Sequence, residues 1–186
     1  MRRLAPFCLL LALATCGPLP PTATLPADAV QGSADPTRST ILRSAHVFNA
    51  PGELAGHPAE AARALAGMDY LATEIPQGPR WFEFNPQLTF DQQAARAEWR
   101  AALGISPAAL PQPVMDALFA VARGAGAAAL PPALFPQPAE SFARLGALPP
   151  LPRTALAAAQ AQQELNRVDF MGRTSPGGDS VGGRGQ

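Results

Sequence analysis

The run His57-Pro58-Ala59-Glu60-Ala61-Ala62-Arg63-Ala64-Leu65-Ala66-Gly67-Met68-Asp69-Tyr70-Leu71-Ala72-Thr73-Glu74-Ile75 reads as one helix packed against others. Pro58 suits a first helical position, where its missing N–H costs nothing, and Glu60 two residues later complements the positive end of the helix dipole. Leu65, Met68, Ala72 and Ile75 recur at i, i+3, i+7 and i+10, which places them on one face. Gly78 then offers a stop of the left-handed kind that closes many helices.

The same punctuation continues on both sides. Pro138-Ala139-Glu140 repeats the opening device, and Pro113 with Asp116 is a looser version. Thr89-Phe90-Asp91-Gln92 fits a capping box, in which the Thr hydroxyl and Gln amide satisfy free backbone donors. Gly104, Gly124, Gly146 and Gly172 each follow a periodic segment. Val114, Leu118, Val121 and Ala125 form a second apolar face; Ala158, Ala161, Leu165 and Val168 form a third. Glu60 with Arg63, Glu140 with Arg144 and Glu164 with Arg167 stand at neighbour spacing on helix surfaces. No segment alternates at period two long enough to argue a strand. The expectation is an all-α bundle of five or six short Ala-rich helices with Pro-rich connections, over residues 38–171.

The core must rely on few large side chains, because Ala faces bury little apolar area. The bulky candidates are Phe48, Tyr70, Trp81, Phe82, Phe84, Phe90, Trp99, Phe119, Phe135, Phe142 and Phe170. Trp81, Phe82 and Phe84 cluster between two predicted helices. They form either a contact surface for sugars or peptides or an aromatic plug that closes the core.

Of 186 residues, 22 are Pro and 16 Gly, and the formal charge is zero, so nothing resembles an electrostatic footprint for nucleic acid. All basic side chains are Arg, in keeping with a GC-rich coding sequence. No apolar run approaches the ~20 residues that a membrane-spanning helix needs.

The N-terminus departs from this pattern. Met1-Arg2-Arg3 is a short basic segment, and Leu4 to Ala14 is a compact apolar run of the length found in export signals. It ends in Leu13-Ala14-Thr15-Cys16-Gly17. This resembles the lipobox of bacterial lipoproteins, in which a branched apolar residue and two small ones precede a cysteine that is lipidated and becomes the first residue. Thr15 departs from the Gly, Ala or Ser the family prefers there.

Ala12-Leu13-Ala14 also fits ordinary signal peptidase, which would release a soluble periplasmic protein; a third reading is an uncleaved helix. Cys8 lies in the segment to be removed, so Cys16 would have no disulfide partner. The resemblance implies a 1–15 signal peptide and acyl chains on Cys16. It places the protein on the periplasmic side of the cell envelope, with Gly17 favouring the outer membrane. Losing Arg2 and Arg3 leaves 12 basic against 14 acidic residues, a formal charge of −2, so lipid rather than a basic face must supply the membrane attachment.

Residues 16–37 are Pro/Ala/Thr-rich and aperiodic, and read as a disordered tether that lifts the body off the bilayer. Residues 172–186 read as a disordered Gly-rich tail.

Catalytic signals are sparse. Gly178-Asp179-Ser180-Val181-Gly182 matches a nucleophile elbow by letter, but only four residues follow it, too few to supply the acid and His. Gly124-Ala125-Gly126-Ala127-Ala128-Ala129 approximates a dinucleotide loop, yet a helix precedes it and Pro131-Pro132 cuts off the helix it needs. His46 and His57 lack the i, i+4 partner of a helical metal pair, so neither a metal nor a cofactor is implied. Two readings follow. One is a non-enzymatic envelope module that meets another envelope protein or a cell-wall component. The alternative is a small exported hydrolase in which His46 or His57 works with Asp69, Glu74 or another nearby carboxylate.

Overall fold

Proline opens every helix but one. A computed structural model describes residues 18–30 and 35–174, and contains α1 (Pro36–Asn49), α2 (Pro58–Gln77), α3 (Gln87–Leu103), α4 (Pro111–Ala122), α5 (Pro138–Gly146) and α6 (Pro152–Thr174). Short 3-10 turns span Pro51–Leu54, Pro79–Trp81 and Gly126–Ala129; the described residues hold no strand. The protein is all-α, as the periodicities require.

Helix α2 is the hub. It touches α1, α3, α4 and α5, while α6 lies across α1 and α3. The reason is its composition: Ala61, Ala62, Ala64 and Ala66 are buried beside Leu65, Met68 and Leu71, so partners can approach on several sides. The predicted faces are buried on α2 (Leu65, Met68, Ala72 and Ile75) and α4 (Val114, Leu118 and Val121), but Ala125 is exposed, because α4 ends at Ala122 and the chain has turned away by then. Trp99 and Phe135 fill the interior as its largest fully buried side chains.

The bundle has two distinct ends. At the C-terminal end of α2, the Thr37 and Tyr70 hydroxyls meet at 2.7 Å, Arg38 of α1 pairs with Asp169 of α6, and the Asn85 N–H donates to Glu164. At its N-terminal end, the Gly56 N–H donates to the Gly146 carbonyl at 2.8 Å and joins α5 to the start of α2.

Several local expectations shift. Thr89 lies inside α3, and the first turn is instead closed by Asn85, whose Oδ1 accepts from the Gln87 N–H. Gln92 turns inward and donates to the Ala157 carbonyl. Gly104 and Gly124 take left-handed backbone, whereas Gly78 does not. A Cβ at Gly78 would stand 2.7 Å from both Glu74 Oε1 and Trp81 Cδ1, so close packing is what selects glycine there. Gly172 lies within α6, which continues to Thr174, and α1 begins at Pro36, so the body is slightly longer than predicted at each end. Glu60 pairs with Arg43 of α1 rather than Arg63; the Glu140–Arg144 and Glu164–Arg167 pairs form. Phe82, Phe90 and Phe170 are exposed rather than in the core.

The largest difference concerns the tether. Residues 18–30 are free of helix, as their prolines dictate, but they lie along the body instead of standing away from it. The Pro20 carbonyl accepts from Gln77 Nε2, the Ala23 N–H donates to Thr73 Oγ1, and the Thr24 N–H donates to Gln112 Oε1. Farther on, Asp28 makes a two-pronged pair with Arg123, the C-cap of α4, and Arg63 of α2 reaches the Asp28 carbonyl. Ala23 is buried, and Leu25 and Ala29 pack on the core. The segment is therefore a strap in the seam between α2 and α4, running opposite to α2. The signal segment 1–15, Cys16 and the tail from 175 onward lie outside the described residues.

Candidate functional site

Asp69 sits in the middle of α2 with no exposed surface. Its carboxylate accepts from Arg96 Nε at 2.7 Å and from Arg100 through Nε at 3.1 Å and Nη2 at 2.7 Å. The remaining Arg100 arm donates to the Ala109 carbonyl, which ties the loop before α4 to α3. Burial presses the Arg96 guanidinium below its ordinary pKa, and the attraction of Asp69 opposes that shift. A carboxylate bridged by two guanidinium groups away from water is a clamp between α2 and α3. It has no opening through which a substrate proton could reach it.

The histidines lie elsewhere. His46 is on the outer side of α1 and faces Glu53 at 3.3 Å, with both side chains well exposed. His57 occupies the N-cap of α2, as expected from its position, but its side chain caps nothing. Glu74 accepts from Trp81 Nε1 at 3.2 Å and so positions an indole. Neither histidine is brought together with Asp69 or Glu74. Among the described residues the one His–carboxylate pair, His46 with Glu53, stands on open surface. Among the described residues no cluster of His, Cys, Asp and Glu could hold a metal ion.

The aromatic cluster divides. Trp81 and Phe84 are buried with ring centroids 5.1 Å apart, so these two form the plug; they are not part of a contact surface. Phe82 between them is 80% exposed. The split follows from the turn: a 3-10 turn rotates about 120° per residue, so consecutive side chains cannot share one face.

Two clefts remain. One, of about 340 Å³, lies between the strap, α1, α2 and α4, and is lined by Ser39, Thr40, Arg43, Ser44, Glu60 and Arg63 among others. Gly67 lets α1 come close there, since a Cβ would stand 3.0 Å from Thr40 Cγ2. The other, of about 410 Å³, lies at the N-terminal end of α2 and is walled by Phe48, Leu54, Leu148, Pro149, Pro150 and Leu151. No ionisable side chain lines it. Neither cleft is readable in the sequence, because each combines residues from segments far apart in the chain. The Leu148-to-Pro152 run was the one available cue for the apolar cleft: it carries three prolines and two leucines in a connection that would otherwise favour polar residues.

Chemically, the apolar cleft can shelter hydrocarbon or the apolar side chains of a partner; it offers no acid, base or nucleophile. Compared with known proteins, the chain matches no family model, no curated protein and no solved structure. Among the described residues, no helix is long and apolar enough to cross a membrane.

Proposed function

We propose that this chain is a lipid-anchored protein of the bacterial cell envelope, held by acyl groups on Cys16, whose helical body serves as a non-enzymatic module for contact with another envelope component. The observation that carries the reading is the sequence of the first seventeen residues: two arginines, an apolar run from Leu4 to Ala14, and a cysteine two positions beyond it, after Thr15. Each buried CH₂ contributes about 0.8 kcal/mol to membrane residence, so two or more acyl chains hold a body of formal charge −2 without help from a basic surface.

The apolar cleft supports the interaction role. Its wall of Phe, Leu and Pro, free of ionisable groups, suits an apolar partner surface better than a reacting bond.

Mass spectrometry of the mature N-terminus tests the attachment. The expected species begins at Cys16 and carries a diacylglyceryl group, and Cys16→Ser moves the protein from the membrane to the periplasmic fraction. A species that begins after Ala14, or one that retains residues 1–15, overturns the reading.

A further inference from the structure

The strap bears on where an attachment at Cys16 would act. Pro18 is the second residue after Cys16, and two residues of chain reach no farther than about 7 Å. Two positions later the strap is bound, since the Pro20 carbonyl accepts from Gln77 Nε2 at 2.9 Å, and the Ala23 N–H reaches Thr73 Oγ1 at 3.2 Å. An anchor joined through Cys16 would therefore act within two residues' reach of Pro18, beside the C-terminal end of α2. A free tether of some twenty residues in extended proline-rich form would instead allow roughly 60 Å of separation.

That end of the bundle presents apolar side chains to solvent. Leu19 is 42% exposed and Phe82 is 80% exposed. Phe82 is held outward, because Trp81 before it and Phe84 two residues on are fixed inward: Trp81 by its hydrogen bond to Glu74, and Phe84 by packing against Trp81. The arginines around it are already engaged, Arg80 with Asp35, Arg38 with Asp169 and Arg167 with Glu164. Glu83, next to Phe82, is in none of these pairs, so the end offers an apolar ring beside a net negative charge, a combination suited to the interfacial layer of a zwitterionic bilayer and disfavoured by anionic headgroups.

We infer that the C-terminal end of α2 rests against the bilayer, with Phe82 and Leu19 in the interfacial layer and the apolar cleft at the opposite end turned away from the membrane. This orientation rests on the attachment at Cys16 proposed above.

Photo-crosslinking tests it. Phe82→benzoylphenylalanine and, as a control on the outer face of α5, Ala143→benzoylphenylalanine are introduced into the full chain, and bacterial envelopes are irradiated. In parallel, the same two variants of the mature chain are coupled through the Cys16 thiol to a maleimide phospholipid. The vesicles are of phosphatidylethanolamine, with and without phosphatidylglycerol. The expected result is a lipid adduct from position 82 and none from position 143, with the adduct strongest in vesicles without phosphatidylglycerol. A protein adduct from position 82 in the envelope, or tethered vesicles without a lipid adduct, overturns the orientation. The attachment is judged separately, by the mass of the native N-terminus. Lipid adducts in tethered vesicles from a chain that is not acylated in the cell would uphold the geometry and sink the attachment, and an acylated chain without adducts would do the reverse.

Discussion

Helix α2 and the strap lie side by side, and they are held for opposite reasons. Helix α2 is surrounded by four other helices and buries both apolar side chains and a charged one, Asp69, that two arginines clamp. The strap is held by a few hydrogen bonds, one buried alanine and an ion pair at the surface. Burial on several sides makes α2 intolerant of change, whereas the strap's contacts can be removed singly while the bundle stays folded. The comparison separates what keeps the protein folded from what sets how close its N-terminus lies to the body.

The largest expected effect is at the clamp. Asp69→Ala leaves Arg100 buried and Arg96 half-buried without their counter-charge and should cost about 3–5 kcal/mol, read from chemical denaturation. A loss below about 1 kcal/mol would mean that the two arginines escape to water and that the clamp is not structural. Leu118→Ala on α4 comes next, at about 2–5 kcal/mol, because Leu118 is fully buried against the hub. Leu19→Ala in the exposed part of the strap should stay within about 0.5 kcal/mol. Equal losses for the two leucines would erase the distinction between bundle and strap.

Thr73→Val removes the acceptor for the Ala23 N–H and also the Thr73 bond to the Tyr70 carbonyl. The expected cost is about 1 kcal/mol per bond, with faster amide exchange in residues 18–30 than in α4. Uniform acceleration across the bundle would show that strap and body open together.

Acid sharpens the same contrast. Hydrogen bonds from Arg123 hold the Asp28 carboxyl at about 2, below its ordinary 3.8. Since the folded value is the lower one, the stabilisation is complete above 3.8 and disappears as pH falls through about 2. Amide protection in the strap should therefore be flat from neutrality to about pH 4 and fall below it, and Arg123→Gln should abolish that acid dependence. The smallest effect is expected at His46→Ala, within about 0.5 kcal/mol, because its pair with Glu53 is solvent-exposed. A larger loss would give His46 a role that its surroundings do not show.

The helices were legible because each apolar face repeats within a single segment and every start but that of α3 opens on a proline. Leu65, Met68 and Ile75 announce the buried side of α2 without reference to any other helix. The Glu140–Arg144 and Glu164–Arg167 pairs were legible for the same reason, since one turn of helix brings the partners together. Glu60 was not, because its arginine comes from α1. The aromatic triplet shows the limit within three residues: composition marks a cluster, but turn geometry and packing send Trp81 and Phe84 inward and Phe82 out.

Periodicity and punctuation, which act over one or two turns of chain, were thus enough to assign an all-α bundle and to mark the apolar run ahead of Cys16. The placement of the strap in the α2–α4 seam, the union of Asp69 with Arg96 and Arg100, and the exposure of Phe82 emerged only from the folded arrangement. Each depends on partners distant in sequence: Thr73 and Gln112 for the strap, α3 for Asp69, Glu74 for the turn that carries Phe82. Such contacts form when helices dock, and nothing in a local pattern encodes which helix will be the neighbour.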